Sequence, residues 1–241
     1  MLGSPSTGLP GEAFVVFAQN HDQVGNGGAG TRLAAAAPPG VAKLAAATVL
    51  CAPYVPLLFM GEEYGETAPF AFFTSFEDPA LGEAVRVGRR REYARFAWSA
   101  EPPDPQAPAT FAACRLDRSR GGVPPGSWLA AWYRSLLRLR AGHPALRTPD
   151  RERARVARAG DVLVLHRWSE DGAAALAVLR YAPAPGRVTV TVPAGEFTLA
   201  LDSEVAEFGG AAHPAAPRAL VAGLAGLDLG PYHVLVYVRA S

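Results

Sequence analysis

Cysteine is scarce in this chain: 241 residues contain two, Cys51 and Cys114, one in an alanine-rich apolar stretch and one in a polar stretch beside Arg115. Neither spacing suits a disulfide framework or a metal site. No second histidine or cysteine cluster completes a coordination set, so neither a metal nor a cofactor is expected. A surplus of charge is also missing. The formal net charge is +1, which leaves no long-range field to attract nucleic acid or an anionic membrane surface, and a neutral ligand such as a sugar is favoured instead. The nearest approach to a membrane span, from Val41 to Met60, is interrupted by Lys43, Pro53 and Pro56, whereas a spanning helix needs about 20 predominantly apolar residues. The opening Met-Leu-Gly-Ser-Pro-Ser-Thr-Gly has no basic cluster followed by an apolar core and so does not read as a secretory signal. The expected location is cytoplasmic. No repeat of twenty to fifty residues is visible.

What is present describes a globular protein of one or two domains, with 49% hydrophobic and 19% charged residues. Residues 14–19 form a continuous apolar run, as expected of a parallel strand buried on both faces. Pro38-Pro39-Gly40 opens a helix through Leu50, since proline is tolerated in the first helical turn. A second apolar run begins at Val55, so strand, helix and strand make a βαβ unit whose crossover should be right-handed. Residues 79–96 read as a helix with Arg86, Arg89, Arg90, Arg91 and Arg95 on its outer face. A further helix, capped by Ser127, places Trp128, Leu129, Trp132, Leu136 and Leu139 at helical spacing and stops before Pro144. From about Pro149 the period changes to two. Runs at 162–168, 175–181, 188–192, 197–201 and 232–238, separated by turn residues such as Asp171-Gly172, predict an antiparallel β-sandwich.

The two apolar runs carry the chemistry at their far ends. Phe14-Val-Val-Phe-Ala-Gln19 is followed by Asn20, His21 and Asp22 and then by a turn at Gly25; Val55 to Met60 is followed by Glu62 and Glu63. In a (β/α)8 barrel the working groups sit where strands end and loops begin, so polar residues concentrated there read as active-site residues.

These strings resemble the last two strands of the α-amylase superfamily barrel (glycoside hydrolase family 13). Gln-Asn-His-Asp-Gln-Val-Gly-Asn at 19–26, Pro-Leu-Leu-Phe-Met-Gly-Glu-Glu-Tyr-Gly at 56–65 and Gly-Arg-Arg-Arg-Glu-Tyr-Ala-Arg-Phe at 88–96 are similar to the malto-oligosyltrehalose trehalohydrolase family, densely from about Leu9 to Phe111 and more weakly beyond. The resemblance implies α/β plus all-β architecture: the last two β/α units of a (β/α)8 barrel within residues 1–148, then a C-terminal antiparallel β-sandwich over 149–241. It implies hydrolysis of the α-1,4 bond next to a terminal trehalose, with malto-oligosyltrehalose or a maltodextrin as ligand. A whole barrel takes roughly 250 residues, and here the penultimate-strand motif begins at Phe14. The family's nucleophilic aspartate and general-acid glutamate, about 5 to 5.5 Å apart in retaining enzymes, would lie on earlier strands. The chain alone is therefore expected to be inactive, with a second chain one source of the absent strands. Two rivals remain: a non-catalytic carbohydrate-binding or interaction module, and a segment of a glucan branching enzyme.

The resemblance implies that Asp22 grips hydroxyls of the reacting sugar and stabilises the oxocarbenium-like transition state; the competing reading is a turn aspartate bonding its own backbone. Asn20 and His21 would bind the same sugar, His21 as a neutral donor. Both His21 and Asp22 can face one pocket only if the strand has given way to loop by Asn20. By the same alternation, Glu62 and Glu63 would not act together on one bond: one faces the substrate while the other supports it, and the competing readings are a hydrogen-bond partner behind the site or an ordinary solvated pair. Arg32 falls where the family tends to keep an arginine and would bond sugar hydroxyls or a carboxylate. Gly27 departs from the family, which usually reads Gly-Asn-Arg at 25–27. Phe70, Phe72 and Phe73 with Tyr64 read equally as a stacking platform for glucose rings and as packing under a loop. The Arg89 to Arg91 run reads as a solvated or salt-bridged face.

Overall fold

The computed structural model describes residues 5–26, 29–95, 102–211 and 215–240. In chain order the elements are β1 (Val15–Val16), α1 (His21–Gly25), α2 (Leu33–Ala36), α3 (Pro39–Cys51), β2 (Val55–Pro56), α4 (Pro79–Arg95), α5 (Pro108–Ala113), α6 (Gly126–Gly142), α7 (Pro144–Arg147), β3 (Ala154–Ala159), β4 (Val162–Trp168), β5 (Ala174–Arg180), β6 (Gly186–Asp202), β7 (Ala219–Leu229) and β8 (Val234–Arg239). Two compact units are interleaved along the chain. One contains Met1–Ala18, Pro39–Leu57 and Trp128–Ser241; the other contains Gln19–Pro38 and Leu58–Ser127. No helix among the described residues is long and apolar enough to cross a membrane.

In the first unit β1 and β2 pair in parallel, Val15 with Val55 and Val16 with Pro56, and α3 lies between them in sequence. Both strands are far shorter than their apolar runs, because among the described residues each has one strand partner and the ladder ends with it. The remaining strands form one antiparallel sheet of six in the order β3-β4-β5-β8-β6-β7. β5 is buried at every position, and alternation sends its side chains to two cores. Ala177 and Leu179 join Leu165, Val234 and Val236 against Ala46, Ala47 and Leu50 of α3 and Trp132 and Leu136 of α6. The small alanines of α3 and β5 let helix and sheet approach closely. Ala174, Leu176 and Val178 face the other way, onto Val190, Val192, Phe197, Leu227 and Tyr237.

That second core explains why the strands form one curled sheet where the sequence predicts the two sheets of a sandwich. The runs at 188–192 and 197–201 are not separate strands but parts of β6, whose ladder shifts register between Val192 and Glu196 and again between Leu199 and Leu201. Bulges bend a strand and raise its twist, and Gly195 at φ +108° supplies the left-handed step. β6 thus pairs with β7 between Gly186 and Thr198 and with β8 between Thr198 and Asp202, and the sheet folds over its own core.

The helix predicted over 79–96 is α4, with Phe96 outside the described residues. Ser127 lies inside α6, which starts one residue earlier at Gly126. α6 ends before Pro144, as the proline requires, and Trp132 donates its indole N–H to the Lys43 carbonyl at 2.9 Å.

The second unit is organised around buried polar side chains. Gln19, Arg32, Glu62, Glu66 and Arg89 are all buried there. Since burial of an unpaired charge is costly, each must be matched by fixed partners, and those partners define the loops that carry the motif residues.

Candidate functional site

β1 ends at Val16, short of the predicted run to Gln19, and where a loop is expected the chain turns into the short helix α1 at His21. Asn20 is extended (φ −145°, ψ 176°) and its Oδ1 accepts a 2.7 Å hydrogen bond from the Gln23 N–H, which makes it the N-cap of α1. Asparagine is among the best residues for that role. Its side-chain oxygen is spent on the helix, so its NH2 is the group left for a ligand. With the strand ended, His21 and Asp22 occupy successive positions of a helical turn and need not point to opposite sides. Their side chains are 72% and 69% exposed, and His21 Nε2 lies 3.3 Å from Asp22 Oδ1. Among the described residues the Asp22 carboxylate has no other partner. A turn aspartate satisfied by its own backbone is not what is found.

Behind this turn the side chain of Gln19 is 7% exposed and joins three segments. Its Nε2 donates to Glu62 Oε2 at 3.3 Å and its Oε1 accepts from the Leu33 N–H at 2.7 Å. Glu62 is buried at 6% exposure, whereas Glu63 is partly exposed. The two carboxylates are therefore unequal in burial: Glu62 is turned inward onto Gln19. Both sit in a single 3-10 turn, Glu62–Tyr64, flanked by Gly61 and Gly65 in left-handed conformation. A side chain at Gly61 would be strained by its φ of +85° and would place a Cβ 2.7 Å from Glu66 Cβ.

Arg32 is 1% exposed. Its Nε donates to the Ala68 carbonyl and its Nη1 to the Met60 carbonyl, each at 2.7 Å, and its guanidinium lies 4.9 Å from the Phe59 ring centroid. Burial lowers its pKa, opposed by the nearby Glu66, Tyr64 and Glu62. The group clamps both ends of the loop that carries Glu62 and Glu63; Nη2 alone is unpaired among the described residues.

Residues whose roles the sequence leaves unmarked complete the frame. Glu66, 2% exposed, accepts from the N–H groups of Thr67 and Ala68, each at 2.8 Å, and of Asp117 at 2.6 Å. Arg89 is buried out of the arginine run, donating to the Gly25 carbonyl at 2.5 Å, Asn26 Oδ1 at 3.0 Å and Glu92 at 2.7 Å. It ties α4 to the end of α1, while Arg90, Arg91 and Arg95 are exposed. No sequence signal separates Arg89 from its neighbours except its place on the helix face that also carries the buried Gly82 and Tyr93. Of the aromatics, Tyr64 is buried and Phe70 packs edge-on against Phe59, at 5.2 Å between centroids. Phe72 and Phe73 are 41% and 36% exposed, with Arg89 5.2 Å from the Phe72 centroid. Gly27 lies outside the described residues.

No family model matches the chain. Its fold is similar to that of α-amylases: a putative α-amylase from Salmonella typhimurium superposes with a TM-score of 0.75 at 33% identity, over 99% of this chain and 37% of that one. An α-amylase from H. orenii shares the fold at a TM-score of 0.56 and 16% identity, over 94% of this chain and 40% of that one. In sequence the chain is similar to malto-oligosyltrehalose trehalohydrolases. It is 48% identical over 145 residues to the one from Arthrobacter ramosus, covering 60% of this chain and 25% of the relative. With that of Rhizobium sp. (strain M-11) it shares 47% over 135 residues, covering 56% and 23%. With that of Deinococcus radiodurans the match is 38% over 163 residues, covering 67% and 27%. The chain thus spans about a quarter of the length of these curated relatives.

Proposed function

We propose that this chain is the C-terminal part of a retaining glycoside hydrolase of trehalohydrolase type, contributing Asp22 to a site whose nucleophilic aspartate and acid glutamate lie outside residues 1–241. The observation that carries the reading is the pair His21 and Asp22, exposed together on one helical turn and backed by the buried Gln19–Glu62 contact. Residues 1–148 would supply the last two β/α units of a (β/α)8 barrel and 149–241 its C-terminal domain, the curled antiparallel sheet. The other strands belong to the same polypeptide or to a partner chain, and the location is cytoplasmic.

In this reading the substrate is a malto-oligosyltrehalose, or a maltodextrin more generally, cleaved at the α-1,4 bond next to trehalose. Asp22 accepts hydrogen bonds from adjacent hydroxyls of the reacting ring. As positive charge develops in the ring those bonds strengthen, and a fixed carboxylate stabilises the transition state more than the ground state. His21 and the Asn20 NH2 donate to the same sugar. Glu63 offers the substrate-side carboxylate of the second motif; Glu62, through Gln19, keeps the Asn20 to Asp22 turn in register with it. Arg32 acts on the loop rather than on the sugar.

The test is a chimera in which residues 9–150 replace the matching segment of the Arthrobacter ramosus enzyme, assayed for trehalose release. The chimera should be active, Asp22→Asn should lower kcat by about 10²- to 10³-fold, and the 241-residue chain alone should release no trehalose. An Asp22→Asn chimera as fast as its parent would refute the assignment.

A further inference from the structure

We propose that the cavity between α7 and the β4–β5 turn is a binding site for a neutral sugar, lined by none of the residues assigned above. Its volume of about 450 Å³ is enclosed chiefly by Trp168, Arg147, Arg153, Asp150, Glu170 and Asp171, and small-molecule sites typically have volumes of about 300–1,000 Å³.

The wall is rigid. Trp168 is partly buried against the inner core of the sheet, with the His166 ring 5.0 Å from it at 32° and Arg155 5.5 Å from its centroid. Trp168 also lines the pocket, where its apolar surface is of the kind that the C–H groups of a pyranose can cover. Beside it the Arg153 guanidinium donates to Asp150 through Nη1 and to Glu170 through Nη2, drawing two carboxylates from different loops to one place. Glu170 remains 80% exposed, so its second oxygen is open to a ligand. Asp171 Oδ1 accepts from Ser169 and from the Ala173 N–H, which leaves Oδ2 to accept. Arg147 ends α7 with an exposed guanidinium whose donors no described residue engages.

This balance selects the ligand class. Two guanidiniums stand against three carboxylates, so an anion would meet repulsion; Arg153 sits between Asp150 and Glu170, and among the described residues no group of three or more possible metal ligands is found. A polyhydroxylated neutral molecule can use both kinds of group at once, since each hydroxyl donates to a carboxylate and accepts from a guanidinium. A plain β4–β5 turn accounts for the Ser169 and Ala173 contacts of Asp171. It does not account for Asp150 and Glu170 being gathered beside a braced indole. The ligand class follows from the lining and does not rest on the trehalohydrolase reading.

Maltotriose is the probe, titrated into the 241-residue chain while the Trp168 indole N–H is followed by NMR, its signal identified with Trp168→Phe. A saturable shift at that signal is expected. Arg147→Ala combined with Glu170→Gln should weaken it about tenfold, whereas Asp22→Asn should leave it unchanged. Both altered side chains are exposed, so the double variant should melt like the parent; if it does not, Arg147→Ala alone carries the comparison. Absence of a saturable shift, an equal shift with sulfate or glycerol, full-strength binding in the folded variants, or a response confined to the Asp22 turn would each overturn the proposal.

Discussion

Gln19 and Glu62, 43 residues apart, meet in a buried hydrogen bond of 3.3 Å that joins the two motifs of the candidate site. The same amide accepts from the Leu33 N–H at 2.7 Å, so one side chain fixes the turn of Asn20 to Asp22, the start of α2 and the loop of Glu62. Removing it takes one hydrogen bond from the buried Glu62 carboxylate and one from the part-buried Leu33 N–H, and a lost partner at a buried polar group costs more than the bond itself contributes.

Gln19→Leu, close in size, should therefore destabilise the chain by about 1–3 kcal/mol, measured by urea denaturation. In the active chimera it should lower kcat with the Asp22 carboxylate intact. A variant as stable and as active as its parent would show that the contact is incidental.

Arg32→Lys should cost about 2–4 kcal/mol although the charge is kept. A lysine carries its three N–H donors on one nitrogen, whereas Arg32 meets the Ala68 and Met60 carbonyls from two separate nitrogens of a planar group that also covers Phe59. Arg32→Met, which removes the buried charge as well, should be no worse than Arg32→Lys if the clamp is structural. A sugar-binding arginine would instead show a raised KM at unaltered stability in both variants, and the chimera separates the two outcomes.

Much of this was readable in the residues because periodicity and turn chemistry are local. β4 coincides with the predicted run at 162–168, and α3 begins at the proline pair as expected. The two strands not predicted, β3 and β7, lie at the two edges of the sheet. Ala-Arg-Val-Ala-Arg-Ala in β3 is mostly exposed, and glycines interrupt β7, so neither shows the alternation that burial on one face imposes. At the candidate site Asp22, Glu62 and Glu63 stand out in the sequence by their place after two apolar runs, but the helical turn and the 3-10 turn that carry them do not, because the strands stop short at Val16 and Pro56. Glu66 and Arg89 were not legible, because their partners are backbone groups of distant loops, which no spacing within the sequence encodes.

Cys51 and Cys114 should differ in reactivity. Burial pushes the Cys51 thiol up to about 11, against the pull of Arg167 and Arg140. At pH 8 about a thousandth of it is thiolate, and the thiolate is the nucleophile. Cys114 is partly exposed, its Sγ accepting from the Ala71 N–H at 3.2 Å. Titration with a thiol reagent should show one reacting group per folded chain and two in denaturant, with Cys114→Ser removing the native one. Two fast groups in the folded chain would mean that the segment around Cys51 opens readily.

The buried pair Asp202 and His233 should set an acid limit on the sheet. His233 Nδ1 accepts from the Gly230 N–H at 3.2 Å, so the ring proton sits on Nε2 and is donated to Asp202 Oδ1 at 2.7 Å. Burial alone would raise the Asp202 pKa, but the hydrogen bonds from His233 and from the Glu204 N–H, with the nearby Lys43, hold it below the ordinary 3.8. A carboxylate whose folded pKa is depressed adds stability that is fully present above its unfolded value. That contribution falls away as the pH drops through the unfolded value near 3.8 toward the lower folded one. Unfolding free energies from urea titrations between neutral pH and pH 3 should decline over that lower interval. Asp202→Asn should be less stable at neutral pH and should lose part of the decline, because the amide does not titrate. An unchanged slope in the variant would assign the acid sensitivity to other carboxylates.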